Sequence, residues 1–199
     1  GGDGGNGGDV TITVANGASI KTTGDNAHGI WAQSVGGGGG ALGNLVTSNA
    51  DSKDAFVNKI GSYGNPGDSG FVDVAVEGSV DVEGTGATAI FAQSASGGDA
   101  SSVSNGVRVA VSGTAQAQGA NARAILVQAD GVENITTSVT GSCSSTAATC
   151  AGTSHIYVEK GGRVATTSSS ALETIGFLSG QQDYHSDGSI RASNMLENS

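Results

Sequence analysis

The chain has little charge, a single proline, two cysteines and no long apolar run. Only 13% of its 199 residues are charged, and acidic side chains outnumber basic ones 18 to 8, for a net charge of −10. A nucleic-acid interface needs clustered cations, and anionic lipid attracts basic segments, so neither partner is expected. Without about 18 consecutive apolar residues, no segment is expected to span a membrane as a helix.

Glycine is abundant, with 35 residues, and valine, alanine, serine and threonine fill much of the rest. Disordered chains usually combine high charge with few β-branched residues, which is not the composition here. The glycines are therefore interpreted as turn and loop residues between short strands.

Two distant stretches share one pattern. Residues 26–40 read NAHGIWAQSVGGGGG and residues 87–98 read ATAIFAQSASGG. Both contain an isoleucine, an aromatic residue, Ala-Gln-Ser and then glycines. Such self-similarity is the signature of a repeat architecture, and four copies can be aligned. They begin at Val10, Val72, Val107 and, in a degenerate form, Ile156.

The second and third copies keep a constant offset of 35 residues without a gap. The equivalent positions are Gly78 and Gly113, Gly84 and Gly119, Ile90 and Ile125, and Gln93 and Gln128. Each copy contains three short alternating pieces separated by glycines, which is typical of half-buried strands. In the second copy the inward positions are Val72, Val74, Val76, Val80, Val82, Ile90, Ala92 and Ser94.

Three strands per copy predict an all-β fold, a right-handed parallel β-helix (solenoid) of about four coils, over a single segment, 1–199. An antiparallel β-sandwich is the alternative, but it does not require three differently patterned strands to recur in one order. Loop insertions are predicted at one corner, over 36–69, 95–106 and 130–153. Residues 181–199 are expected to be mobile or to form a partial coil. The stacked glutamines are expected to form an amide ladder over Gln33, Gln93 and Gln128.

The run Gly29-Ile-Trp-Ala-Gln-Ser-Val35, followed by Gly36 to Gly40, resembles the glycine-rich passenger domains of type V autotransporters of Gram-negative bacteria. The opening GGDGGNGGDVTITV resembles the tail of a preceding copy of that motif. The resemblance implies a secreted, cell-surface rod attached through an outer-membrane barrel that this chain lacks. It implies adhesion, aggregation or biofilm formation and, in some branches, enzymatic work. Expected partners are a host-cell or matrix protein or glycan, or another copy of the chain.

Cys143 and Cys150 lie in the run SCSSTAATC, inside the third insertion. Six residues between two cysteines match neither a zinc site nor a Cys-x-x-Cys redox motif. A local disulfide in an oxidising compartment is the preferred interpretation. A small closed loop of this kind also suits passage through a narrow secretion pore, as the resemblance implies.

Other candidate sites are weaker. The stretch from Gly4 approximates a calcium-binding nonapeptide but has Thr11 where a large apolar residue belongs, so no metal or other cofactor is expected. His28 occupies a corner position that holds Thr88 and Arg123 in other copies, and this position is expected to be solvated. The outward acids are expected to form a solvated face with Arg108 and Lys21 nearby; they are Asp73, Asp81 and Glu83.

One outward feature suggests a contact surface. If the isoleucines of the third strands face inward, then Trp31, Phe91 and Leu126 form an outward apolar column. Such a column is either covered, here by residues 42–69, or used as a contact stripe for a partner or another copy. The predicted function is adhesion or self-association, without enzyme activity. The alternatives are a spacer rod that carries a functional head, a glycan-acting β-helix enzyme and a secreted receptor-binding effector.

Overall fold

The computed structural model describes residues 4–37, 67–96, 104–130, 152–171, 173–177 and 181–192. Within these ranges the chain is all-β and contains no helix. Three parallel sheets are stacked from strands that recur in a fixed order, which is the arrangement of a parallel β-solenoid. The predicted fold class is confirmed at this level.

The strands follow the predicted copies. The first copy contains β1 (Val10–Val14), β2 (Ser19–Thr22) and β3 (Ile30–Val35). The second contains β4 (Val72–Val76), β5 (Ser79–Val82) and β6 (Thr88–Ala95). The third contains β7 (Val107–Val111), β8 (Thr114–Ala117) and β9 (Arg123–Asp130). The fourth contains β10 (Thr153–Val158), β11 (Arg163–Thr166) and β12 (Glu173–Phe177), and two strands follow it, β13 (Gln181–Ser186) and β14 (Ser189–Ala192).

Each strand pairs with the equivalent strand of the neighbouring copy. Sheet A has the order β1-β4-β7-β10-β13, sheet B has β14-β11-β8-β5-β2, and sheet C has β12-β9-β6-β3. All pairs are parallel. The predicted register between the second and third copies is confirmed by the pairs Val72–Val107, Val80–Ala115 and Ile90–Ile125.

The core lies between the three sheets and consists of side chains at the predicted inward positions. In β4, Val72, Val74 and Val76 are buried, whereas Asp73 and Ala75 remain partly exposed. A fully buried valine contributes about 1.5–3 kcal/mol relative to an exposed one. A single copy cannot bury its inward apolar side chains by itself. The apolar core therefore becomes continuous only when copies stack.

One corner of each of the first three copies needs a backbone conformation that few residues adopt. Asn26, Gly86 and Asn121 occupy equivalent turn positions and have φ values of 56°, 70° and 54°. The turn is closed by a hydrogen bond of 3.0 Å from the Ala27 N–H to the Gly24 carbonyl oxygen in the first copy. Positive φ at the third residue of such a turn favours glycine or asparagine, which explains the residues found there.

The three longest ranges outside the described residues, 38–66, 97–103 and 131–151, fall between the third strand of one copy and the first strand of the next. Several flanking residues join the stack: Gly7 donates its N–H to the Asp68 carbonyl oxygen at 2.8 Å, and Ser69 forms a parallel bridge with Ser104. The Asp9 side chain accepts a hydrogen bond of 2.8 Å from the Phe71 N–H. This contact gives Asp9, the acidic residue of the approximate nonapeptide, a structural role.

The start of the fourth copy differs from the prediction. Its first strand begins at Thr153, and Ile156 pairs with Val109 instead of standing at the start of the copy. Ser154 and His155 occupy positions that hold Val107 and Arg108 in the third copy, so the apolar alternation is lost there. Residues 181–192 then extend sheets A and B through β13 and β14.

Candidate functional site: the outward faces

The outward apolar column exists, but most of it is not accessible. Trp31 pairs with Phe91 and Phe91 pairs with Leu126 across sheet C. Phe91 is 0% and Leu126 1% exposed, and they form a cluster separate from the main core, with the half-buried Trp31 packed against it. The rings of Trp31 and Phe91 lie 4.6 Å apart at 49°.

Of the three residues in the predicted contact stripe, Trp31 alone is accessible to a partner. Only Trp31 keeps a partly exposed side chain, whereas Phe91 and Leu126 are buried, and the contact stripe stays a prediction. Of the predicted cover, residues 42–66 lie outside the described residues, as do both cysteines of the predicted disulfide, Cys143 and Cys150.

The predicted glutamine ladder is present on the same face. The side-chain amide of Gln33 donates to the Oε1 atom of Gln93, and the amide of Gln93 donates to Oε1 of Gln128 at 2.5 Å. Gln93 and Gln128 are fully buried, and Nε2 of Gln128 has no hydrogen-bond partner. An aligned amide row satisfies polar groups that would otherwise be costly to bury.

The expectation of a solvated corner at His28 is wrong. Thr88 is fully buried, whereas His28 and Arg123 are only partly exposed. Nδ1 of His28 accepts a hydrogen bond of 3.0 Å from the Thr88 backbone N–H, and its ring lies 5.1 Å from the ring of Trp31. The position is enclosed because it lies beside the aromatic column. This burial lowers the pKa of His28 below 6.5.

The acids predicted to alternate outward are paired. Arg108 contacts Asp73 at 2.8 Å, and Lys21 contacts Glu83 at 2.6 Å. Asp81 accepts a hydrogen bond of 2.7 Å from the Gln118 side chain. The two cations named in the sequence analysis therefore neutralise two of the three acids, and the contacts run between neighbouring copies.

A histidine on the outward face of sheet A was not predicted as a site residue. His155 pairs with Arg108 of β7 and with Asp183 of β13 in the strand register. Its side chain is 2% exposed, Nδ1 lies 2.9 Å from Oδ2 of Asp183, and Nε2 is buried without a partner. The ring is parallel to that of Tyr157, with an interplanar angle of 1° and a centroid distance of 6.2 Å.

Next to this histidine is a pocket of about 210 Å³ at the corner after β10. Backbone hydrogen bonds hold its walls: the Glu159 N–H donates to Val111 at 2.9 Å, and the Asp187 N–H donates to Val158 at 2.8 Å. His185 contacts Asp187 at 3.1 Å, and their side chains are 61% and 66% exposed. The polar and aromatic lining comprises Arg108, Tyr157, Glu159, Lys160, His185 and Asp187.

Sequence reasoning missed this pocket because its residues come from strands and corners of three successive copies, and the last of these strands, β13, has no recognisable repeat identity. The sequence feature that could have indicated β13 is the short alternation around Tyr184. In the structure Tyr184 pairs with Ile156, and Asp183 and His185 lie on the outward face. That run is too short to be distinguished from a loop by periodicity alone.

The pocket can bind polar groups through both donors and acceptors and can contact a flat apolar surface through Tyr157. Among the described residues, no group of three or more His, Cys, Asp or Glu side chains is placed to hold a metal ion. In the same part of the chain, no helix has the length and apolar character needed to cross a membrane.

Comparisons with protein-family models, curated proteins and solved structures find no match to this chain. The function is therefore inferred from its own residues.

Proposed function

We propose that the chain is a segment of a secreted, surface-exposed rod that acts in adhesion or self-association, as the passenger part of a type V autotransporter. The rod is a right-handed parallel β-helix of about four coils. Right-handed connections between parallel strands of one sheet are strongly preferred, which supports this handedness. The motif from Gly29 to Gly40 supports the family. An outer-membrane barrel outside this chain would attach the rod to the cell.

The observation that carries the binding proposal is the outward face of sheet A. It places paired charges, an aromatic ring and a solvent-open pocket on adjacent, backbone-bonded strands. Backbone hydrogen bonds between the strands of sheet A fix the backbone at these positions before a partner binds. Binding therefore does not have to order this backbone first. Partners of the rod would be a host-cell or matrix protein or glycan, or another copy.

The glycan-acting enzyme is the second candidate, and the same pocket favours it. Glu159 and Asp187 are two carboxylates in one concave site, with Arg108 and Lys160 beside them. General acid catalysis needs one carboxyl held away from water, whereas the Asp187 side chain is 66% exposed. Binding without cleavage is therefore the better-supported function.

The proposal is tested by the retention of labelled, purified chain on intact bacterial cells, host cells and immobilised matrix proteins and glycans. Saturable retention is expected, and Trp31→Ser tests whether the exposed end of the aromatic column contributes. Retention that survives this change assigns the contact to another face of the rod. Failure to bind any surface contradicts adhesion and favours the spacer rod, and release of shortened glycans from the panel favours the enzyme.

A further inference from the structure

We propose that the pocket beside Tyr157 binds one sugar ring of a neutral glycan. This assignment rests on the adhesive function proposed above and specifies its ligand class. It depends on a half-buried aromatic ring, on balanced polar groups and on the size of the pocket.

The Tyr157 ring is half-buried on the outward face of sheet A. It lies parallel to the ring of His155, and Asp183 contacts that histidine at 2.9 Å. The neighbour of Tyr157 on β7 is Ala110, whose single methyl group leaves space on that side. A half-buried tyrosine ring presents a flat apolar face with a polar tip, which complements the C–H face of a pyranose.

The polar groups favour a neutral ligand. Arg108 and Lys160 donate hydrogen bonds, whereas Glu159 and Asp187 accept them. The lining also carries two positive and two negative side chains, so its charges compensate one another. Neighbouring sugar hydroxyls both donate and accept, so they match this mixed set better than an anion or a cation does.

The size and openness of the pocket indicate one unit of a longer chain. Its volume of about 210 Å³ is below the roughly 300–1,000 Å³ of pockets that enclose a drug-sized ligand. Because His185 and Asp187 remain mostly exposed, the pocket is open to solvent on their side and the glycan can continue there beyond the bound ring. A single shallow contact of this kind is weak, but repeated contacts along a polymer or between clustered rods raise avidity.

The test uses the whole chain and an immobilised panel of neutral, amino and uronic-acid oligosaccharides, followed by titration calorimetry with the best oligosaccharide. Tyr157→Ala and Lys160→Met are compared with Lys21→Met, which removes the same charge from sheet B, on the first copy. Thermal unfolding of each variant checks that it folds. Lys160 is exposed at the corner, so its variant tests the proposal even if Tyr157→Ala is destabilised.

We expect a neutral oligosaccharide to bind, with affinity reduced about tenfold or more by Tyr157→Ala, which corresponds to about 1.4 kcal/mol. Tyr157→Phe should keep most of the affinity, Lys160→Met should weaken it, and Lys21→Met should leave it unchanged. Equal binding by all variants, or selective binding of uronic acids only, overturns the proposal.

Retention on cells, measured in parallel, separates this proposal from the function on which it rests. Cell retention without any oligosaccharide binding overturns the sugar site and leaves the adhesive function standing. Loss of cell retention in Tyr157→Ala, together with binding to matrix protein and not to glycans, assigns the pocket to a protein ligand and also overturns the sugar site. Absence of both activities contradicts both proposals.

Discussion

The side-chain amide of Gln93 donates a hydrogen bond to the side-chain oxygen of Gln128, and both residues are completely buried. Gln93 also accepts a hydrogen bond from Gln33, so it is the central member of the ladder. The row links three successive copies of sheet C.

Replacing Gln93 by alanine should lower the free energy of unfolding by about 2–4 kcal/mol, because it leaves polar atoms of two neighbouring glutamines unpaired. Urea denaturation measures this change. Gln33→Ala is the control: it removes a half-buried end member and should cost clearly less. Equal losses in the two variants would show that the row does not act as a ladder.

The corner glycines provide a second test. A Cβ atom on Gly84 would overlap the carbonyl oxygen of Gly24 in the preceding copy, whereas a Cβ on Gly24 would meet only the Ala27 side chain at an ordinary 3.5 Å. Gly84→Ala should therefore destabilise the fold by about 2 kcal/mol or more, because the stacked backbones must separate. Gly24→Ala should have a small effect, and thermal unfolding compares the two. Similar melting temperatures would contradict the close stacking of this corner.

The only tryptophan reports on the aromatic column. Because Trp31 is half-buried and packs on Phe91, its fluorescence emission should lie at shorter wavelength in the folded chain than in urea. Phe91→Ala should shift the emission of the folded chain towards that of the unfolded chain. It should also cost about 3–5 kcal/mol, as expected for a large buried ring.

Phe71→Ala is the matched control for this measurement. Phe71 is also buried, at 5% exposure, but it belongs to a different part of the molecule from the Trp31 cluster. It should lower stability without moving the emission maximum. Emission from native Trp31 at the wavelength of fully solvated indole would show that the column is open.

The pKa of His28 predicts a loss of stability at acidic pH. Burial lowers this pKa in the folded state below 6.5, and protonation would also remove the acceptor for the Thr88 N–H. The unfolded chain therefore binds the proton more readily, so the contribution is present above pH 6.5 and is lost as the pH falls through the folded pKa. The melting temperature should fall more between pH 7 and pH 5 in the native chain than in His28→Thr.

Thr is the residue of the second copy at this position, which makes the variant a suitable control. A nuclear magnetic resonance titration of the His28 ring gives the folded pKa directly. Identical pH dependence in the two proteins, or a folded pKa above 6.5, would contradict this account of the corner.

The period of the repeats and the inward faces of the strands followed from the sequence. The 35-residue offset placed Gln93 against Gln128, as observed. This succeeded because alternation along a strand and stacking between copies are both local, regular patterns. Where that regularity breaks, as at Ser154 and His155, the predicted start of the fourth copy was wrong.

The accessibility of the outward residues was decided only by the tertiary structure. Phe91 and His28 stand at outward or corner positions by pattern, yet one is buried and the other half-buried. Burial depends on neighbours from other parts of the chain, which alternation within one strand does not specify.

The sequence by itself therefore determined the strands of the first three copies, their register and their apolar core, because alternation within each copy and recurrence of the same pattern between copies encode them. The tertiary structure decided which outward side chains remain accessible. It also brought Arg108, Tyr157 and His185 to one pocket, because these residues come from three strands, β7, β10 and β13, that become neighbours only when the copies stack.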